Sequence, residues 1–561
     1  MRSPLPRRRF LRDSGAAALG LALTGSLRAE VAPSFDLVLK GGQLLDGTGA
    51  PAWYADIGIN RDTIAAIGNI SPEQGRRVLH VAGLHVAPGF IDIHSHSDGD
   101  ILVYPNGESR ILQGVTTELT GNCGYSAAPL AGVNDPERRR EWLVQWGQPA
   151  DWGSVASYFD RLEKTGFSVN QALLLGQGTL RSNAIGLVNR PLTAEELKAV
   201  LEGVEQGLDE GAVGLSTGLE YTPGMYTPTD EIVAMARVVA RRGGLYASHI
   251  RNEEAMLLEA INEAIDIGRR AGLRVEISHL KAAGQINWGK QQAAIELIES
   301  ARREGVDVRA DAYPYTAYST GLSIFLRGWA REGGAPAFLK RLRDRELRAR
   351  IRQEALDYVQ GDPGDFKLIQ ISSVRTEKNR VVVGKNMEEI AALWKIEPVD
   401  ALLRLLEEEE GDVSYIGFAM SPENVETVLS HPLVMIGSDG YVQAPVGPAA
   451  LTKPHPRSYG AYARVLDYYV RQRKLFDLPT AVKKMTSLPA DQIGLSDRGR
   501  LARGLKADLV AFDAAGLEDR ATFADPHRYP AGIAYVLVNG VVVVDEGRHT
   551  GARPGRVLRK A

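Results

Sequence analysis

The sequence predicts an α/β protein, a (β/α)₈ TIM-type barrel with a small β-sandwich domain built from both termini. Three observations carry that prediction. Through the middle of the chain, short apolar runs alternate with amphipathic helical stretches, the order expected of a parallel sheet. Both ends are instead rich in short strands separated by Gly and Asp. The length of 561 residues suits a large barrel with an accessory domain.

The first segment reads as a processing signal. Arg7-Arg8-Arg9-Phe10-Leu11-Arg12 precedes an apolar run from Ala16 to Leu23, then Ser26-Leu27-Arg28-Ala29. A basic start, a short apolar centre and a small residue at the cleavage point describe a signal peptide over residues 1–29. Twin arginines followed by x-Phe-Leu-basic resemble a twin-arginine (Tat) signal, so the expected location is periplasmic or secreted.

Phe35–Gly42, Asp56–Ile59 and Thr63–Gly68 read as strands, as do Ala507–Asp513 and Tyr535–Val544. Asn539-Gly540 is a type I′ hairpin signal inside the last run. Residues 30–88 and 490–561 are therefore assigned to the β-sandwich domain, and residues 89–489 to the barrel. The run from Leu84 to Ile93 reads as one buried strand. Helices are predicted over Thr193–Glu210, Thr229–Arg242, Glu253–Gly272 and Trp288–Glu304. Between them lie strands Val213–Ser216, Leu245–Ser248, Arg274–Ser278 and Val306–Asp311. From about 320 to 432 the alternation loosens into a lid-like insertion that includes a charged helix, Leu339–Gln360.

Composition narrows the function classes. Hydrophobic content of 44% with 24% charged residues is ordinary for a globular protein. A net charge of only −3 gives no sign of a nucleic-acid partner. No later apolar stretch is long enough for a stable membrane span after signal cleavage. The single cysteine, Cys123, excludes an intrachain disulfide. A lone thiol in an exported protein is either buried and inert or held as a thiolate by a metal, and its surroundings favour the second.

The chemistry-bearing residues fall at strand ends, where barrel active sites collect. His94 and His96 close the first barrel run in an H-x-H pair, spaced to hold one divalent ion. Cys123 follows a β-type run in Gly121-Asn122-Cys123-Gly124. His249, His279 and Asp439 each end a later apolar run. Taken singly, each has an ordinary reading as a cap or turn residue. Four of the ten histidines at strand ends, with Cys123 and Asp439, point instead to a zinc centre of one or two ions. Zinc chemistry acidifies water and polarises a carbonyl, which suits amide hydrolysis. Asp439 is the candidate to carry the proton from water to leaving amine. His85, His431, His455, His527 and His549 lack this context and are given structural or surface roles.

Longer motifs carry a resemblance. Pro88-Gly89-Phe90-Ile91-Asp92-Ile93-His94-Ser95-His96, Gly121-Asn122-Cys123-Gly124-Tyr125-Ser126, Gly218-Leu219-Glu220-Tyr221-Thr222-Pro223-Gly224, His249-Ile250-Arg251-Asn252-Glu253, Ser278-His279-Leu280-Lys281 and Gly437-Ser438-Asp439-Gly440 are similar to the D-aminoacylase family of the amidohydrolase superfamily. The resemblance covers nearly the whole mature chain. It implies zinc held tightly by Cys123, His249 and His279, and a weaker site of His94, His96 and Asp439. It also implies a substrate carboxylate held by Tyr221, Lys281, Tyr313, Ser319 and Arg457. Cations and hydroxyls in that mixture give charge-assisted hydrogen bonds.

The expected activity is zinc-dependent cleavage of N-acyl-D-amino acids to a carboxylate and a D-amino acid, the D preference coming from the resemblance alone. Two alternatives stay open: hydrolysis of cyclic amides or D-containing dipeptides on the same barrel, and a non-catalytic binding protein that reuses it. The expected partner is a small N-acyl amino acid; oligomeric state is not legible.

Overall fold

The computed structural model describes residues 33–560. The expected signal peptide lies outside the described residues. Eight parallel strands form the centre: β1 Phe90–Asp92, β2 Val115–Thr120, β3 Asn170–Gly176, β4 Gly214–Gly218, β5 Leu245–His249, β6 Arg274–Ile277, β7 Val308–Ala312 and β8 Val434–Ile436. Each pairs with the next in chain order. Past the strand ends β8 returns to β1: Asp439 N donates to the His94 carbonyl at 2.8 Å, and His96 N to that of Gly440 at 2.9 Å. The barrel is thus closed by the backbone that carries three of the candidate ligands.

Every residue of β2 and β3 is buried, as parallel strands covered on both faces require. Ile91, Leu119, Ala172, Ala247 and Met435 from five strands meet inside the barrel, with Ala490 and Ile493 of helix Ser487–Ile493 in the same cluster. The outer helices follow from sequence. Ala194–Asp209 buries Val200, Val204 and Leu208, and Thr193 caps it with Glu196 in a reciprocal pair.

Several boundaries shift by a few residues from the sequence reading, and three differences have a clear local cause. The run from Leu84 to Ile93 is two strands in two sheets: His85–Pro88 pairs with Leu509–Phe512, and only Phe90–Asp92 enters the barrel. Gly89 makes the step; a Cβ there would stand 2.2 Å from Thr116. The helix expected from Glu253 begins at Leu257, because Asn252 accepts from the backbone of Glu254 and Met256 and holds a loop instead. The charged helix expected over Leu339–Gln360 is two, Gly334–Arg343 and Arg345–Gly361. Asp344, in extended conformation, ends the first and caps the second through Glu346 N and Leu347 N.

A nine-stranded sheet draws on both ends of the described chain. Leu37, Ile57 and Ile59 from one end share an apolar core with Leu509 and Leu537 from the other. Asn539 (φ 49°) and Gly540 (φ 78°) make the tight turn between Ile533–Val538 and Val541–Asp545. Between β7 and β8 the chain builds a three-stranded antiparallel sheet, Tyr318–Gly321, Val413–Gly417 and Ile369–Val374, whose Ser319, Thr320 and Ser372 reach the cleft above the barrel. No helix among the described residues is long and apolar enough to cross a membrane.

Candidate metal centre and substrate cleft

The six strand-end side chains converge. Ligand atoms of His94, His96, Cys123 and Asp439 lie within 4.8 Å of one another, and so do those of Cys123, His249 and His279. Cys123 belongs to both sets. Its Sγ stands 3.4 Å from His94 Nε2 and 3.5 Å from His279 Nε2. Asp439 Oδ1 is 2.9 Å from His96 Nε2, and His249 Nδ1 is 2.9 Å from His279 Nε2.

The backbone is bent to achieve this. Cys123 (φ 52°), His279 (φ 36°) and Asp439 (φ 51°) all occupy the left-handed region, at a cost of order 1–3 kcal/mol each. Gly124 follows Cys123 with φ 76°, and a Cβ there would lie 2.5 Å from Gly218 N. The tight Asn-Cys-Gly turn is what pushes the thiol over the barrel mouth.

Behind the ligands stand buried carboxylates. Asp311 Oδ2 is 3.1 Å from His94 Nδ1, Glu253 Oε1 2.8 Å from His279 Nδ1, and Glu220 Oε2 3.3 Å from His249 Nε2. Each fixes an imidazole and leaves its other nitrogen facing the centre, the usual orientation of metal-binding histidines. Under His94-Ser95-His96, Glu118 accepts from Ser95 Oγ (2.7 Å) and Ser97 Oγ (2.9 Å) and pairs with buried Arg110 at 2.8 Å. Glu220, Glu253 and Asp311 were missed as site residues from sequence. Asp311 had a readable signal, since β7 is the next strand after the one before His279.

The donor set fits a thiophilic divalent cation. Burial raises the Cys123 thiol, but His94, His249 and His279 outweigh it and hold the thiol well below its ordinary value. Burial lowers His94, yet Asp311, Cys123 and Asp439 push it well above an ordinary imidazole. A thiolate, carboxylates and imidazoles crowded in this way share protons that a zinc ion would displace.

All five candidate carboxylate-binding residues line the cleft beside this centre. Arg457 Nη1 donates to Asp439 Oδ2 at 2.7 Å and stacks 4.9 Å over the Tyr313 ring. Lys281 Nζ is 2.6 Å from Glu253. The Tyr313 hydroxyl is buried without a hydrogen-bond partner, and Lys281 Nζ, like Arg457, lies over its ring, at 5.8 Å. Tyr221 Oη is 3.1 Å from Thr320 Oγ1, and Ser319 Oγ donates to the Tyr415 carbonyl at 2.8 Å. Two cations over a ring whose hydroxyl is unsatisfied, each with donors beyond the one its carboxylate partner takes, make a pocket suited to an anion. His455 sits below it, donating to the Ala317 carbonyl and accepting from Arg457 N; burial and Arg457 hold it well below its ordinary value, neutral and structural.

The amidohydrolase family profile matches residues 78–544. The D-aminoacylase of Alcaligenes xylosoxydans xylosoxydans is 38% identical over 526 residues, spanning 94% of this chain and 98% of that protein. The N-acyl-D-glutamate deacylase of the same organism is 38% identical over 525 residues, spanning 94% and 96%. The crystal structure of the N-acyl-D-glutamate deacylase of Bordetella bronchiseptica, complexed with zinc and a phosphonate mimic of the tetrahedral intermediate, superposes with a TM-score of 0.80 at 35% identity, covering 94% of this chain and all of that one.

Proposed function

The chain belongs to the amidohydrolase family, and on that premise we propose that it is a zinc-dependent hydrolase cleaving the amide of N-acyl-D-amino acids to a carboxylate and a free D-amino acid. The observation that carries this reading is Cys123 shared between two ligand sets beside an anion pocket.

Cys123, His249 and His279 would hold one ion; His94, His96 and Asp439, with Cys123, would hold a second. Bound zinc supplies Lewis acidity and lowers the pKa of water. The protein's own groups do the positioning and proton transfer. Lys281, Arg457 and the Tyr313 hydroxyl bind the α-carboxylate and fix the scissile amide over the ligands. Asp439 takes the proton of the attacking water and delivers it to the leaving nitrogen. Arg457, 2.7 Å away, keeps that carboxylate from rotating. The D preference is supported by the activities of the two Alcaligenes relatives.

Zinc analysis and a substrate panel test the reading. Zinc-dependent turnover of N-acetyl-D-amino acids, with their L enantiomers, hydantoins and D-dipeptides much slower, is expected. Faster opening of hydantoins would replace it with cyclic-amide hydrolysis. Zinc binding without turnover of any amide would make the chain a binding protein. We also propose export by the twin-arginine route, supported by Arg7-Arg8 before Phe10-Leu11; cell fractionation of an Arg7→Lys/Arg8→Lys variant is expected to find it retained with its leader uncleaved.

A further inference from the structure

The insertion between β7 and β8 gives the cleft a wall whose outer part the proposed reaction does not use. The cleft above the barrel mouth holds about 330 Å³. In the three-stranded sheet Ser414 stands opposite Gly321 on one side and opposite Ser373 on the other, so the three share a row across one face. The register shifts between Ile371 and Ser373, and this bulge turns Ser372 into the cleft beside Ser373. Gly321 leaves space over the row: a Cβ there would meet nothing closer than 3.8 Å. Ser372, Ser373 and Ser414 all line the cleft, and among the described residues no group bonds their hydroxyls.

Arg457 is the one arginine or lysine among the described residues that line the cleft, and Asp439 and the Ser319 carbonyl hold it. No leucine, isoleucine, valine, methionine, phenylalanine or tryptophan is among them. A hydroxyl both donates and accepts. A row of free hydroxyls without a cation of its own suits a neutral group that does the same, and a carboxamide is such a group. An alkyl chain would strip water from the hydroxyls and return no hydrogen bond. A carboxylate would be desolvated with no cation to match it.

The row begins at the carboxylate clamp. Ser319 of the clamp lies two residues before Gly321 on the same strand, and its carbonyl accepts from Arg457 Nη2 at 3.1 Å. The side chain of an amino acid leaves the carbon that bears its carboxylate, whereas the acyl group starts beyond the amide nitrogen, at the carbonyl over the metal ligands. A carboxylate held at the clamp therefore sets the side chain, not the acyl group, against the row. Resting on the deacylase reading, we propose that this row receives the carboxamide side chain of a D-amino acid of the glutamine or asparagine type, with Ser373 and Ser414 setting that specificity.

The experiment compares kcat/KM of the zinc-loaded chain for N-acetyl-D-glutamine, its acid N-acetyl-D-glutamate and its apolar isostere N-acetyl-D-homoleucine. N-Succinamoyl-D-homoleucine, which moves the carboxamide to the acyl half, is the fourth substrate, and calorimetry measures binding of D-glutamine and D-homoleucine. The glutamine substrate is expected to exceed the homoleucine one by about 10- to 100-fold and the glutamate one by about 100-fold. Ser373→Ala and, separately, Ser414→Ala are each expected to lower the glutamine-to-homoleucine ratio by about 3- to 10-fold. Ser414→Lys is expected to raise the glutamate-to-glutamine ratio by about 10-fold. Equal turnover of the three acetyl substrates, a preference for homoleucine or glutamate, or a ratio unmoved in both alanine variants overturns the row assignment and leaves deacylation standing. A faster succinamoyl substrate whose advantage the two alanine variants erase moves the carboxamide to the acyl half and overturns the side-chain assignment. Tighter binding of D-glutamine than D-homoleucine without turnover of any substrate keeps the row and overturns the deacylase reading; neither binding preference nor turnover overturns both.

Discussion

Arg457 Nη1 donates to Asp439 Oδ2 at 2.7 Å while its Nη2 donates to the Ser319 carbonyl at 3.1 Å. One guanidinium therefore ties the proposed proton carrier to the insertion between β7 and β8. The fork geometry matters, because a lysine offers one point charge and spans only one of these acceptors. Arg457→Lys is expected to lower kcat/KM about 10- to 100-fold, with part of the loss in KM, and Arg457→Ala to lower it further. Zinc content is expected to stay unchanged in both. Steady-state kinetics with metal analysis checks this; loss of zinc in Arg457→Lys would give Arg457 a structural role instead.

Cys123 and Asp439 separate the two ligand sets. Cys123 is common to both, whereas Asp439 belongs to one. Cys123→Ala is expected to abolish tight zinc binding. Asp439→Asn is expected to keep zinc at Cys123, His249 and His279 while turnover falls by about 10²- to 10⁴-fold, the usual worth of a positioned proton carrier. Equal zinc loss in the two variants would argue against a site independent of Asp439.

The barrel was legible because strand and helix periods alternate cleanly from Thr193 to Asp311, and its eight strands pair in chain order. Local rules also sufficed at Asn539-Gly540, where both residues take positive φ. The strand ends placed His94, His249 and His279 in one neighbourhood for the same reason: parallel strands in one barrel end at one mouth. What local patterns missed is tertiary. Gly89 divides one apolar run between two sheets, and only the approach of Thr116 shows why. Asp344 breaks a charged helix through a cap that any surface Asp resembles in sequence. Glu220, Glu253 and Asp311 are ordinary acids until the fold sets them 2.8–3.3 Å from three imidazoles.

Glu253 is matched by buried Lys281 at 2.6 Å and also faces His279 Nδ1. Removing its charge strands an ammonium that is 8% exposed. Glu253→Gln is expected to cost about 3–5 kcal/mol of stability and to weaken zinc binding about 10- to 100-fold through the loosened imidazole. Adding Lys281→Met is expected to return much of the stability but none of the zinc affinity. Denaturant unfolding of the metal-free proteins and zinc titrations separate the two effects; a double variant no more stable than Glu253→Gln would show that the stranded charge is not the cause.

Asp362 gives the stability of the protein a pH dependence of defined sign. Burial pushes its carboxyl up to about 7 from an ordinary 3.8, with the Tyr318 hydroxyl pulling the other way. Between those values the folded chain holds a proton that the unfolded chain has released. The group's contribution is therefore fully present below about 4 and is lost as pH rises through about 7. Asn has the same shape and no such proton to lose. Denaturant unfolding at fixed zinc loading is expected to show Asp362→Asn gaining on the wild type from pH 5 to pH 8, by a few kcal/mol at most. Parallel curves would mean that Asp362 stays ionised in the fold.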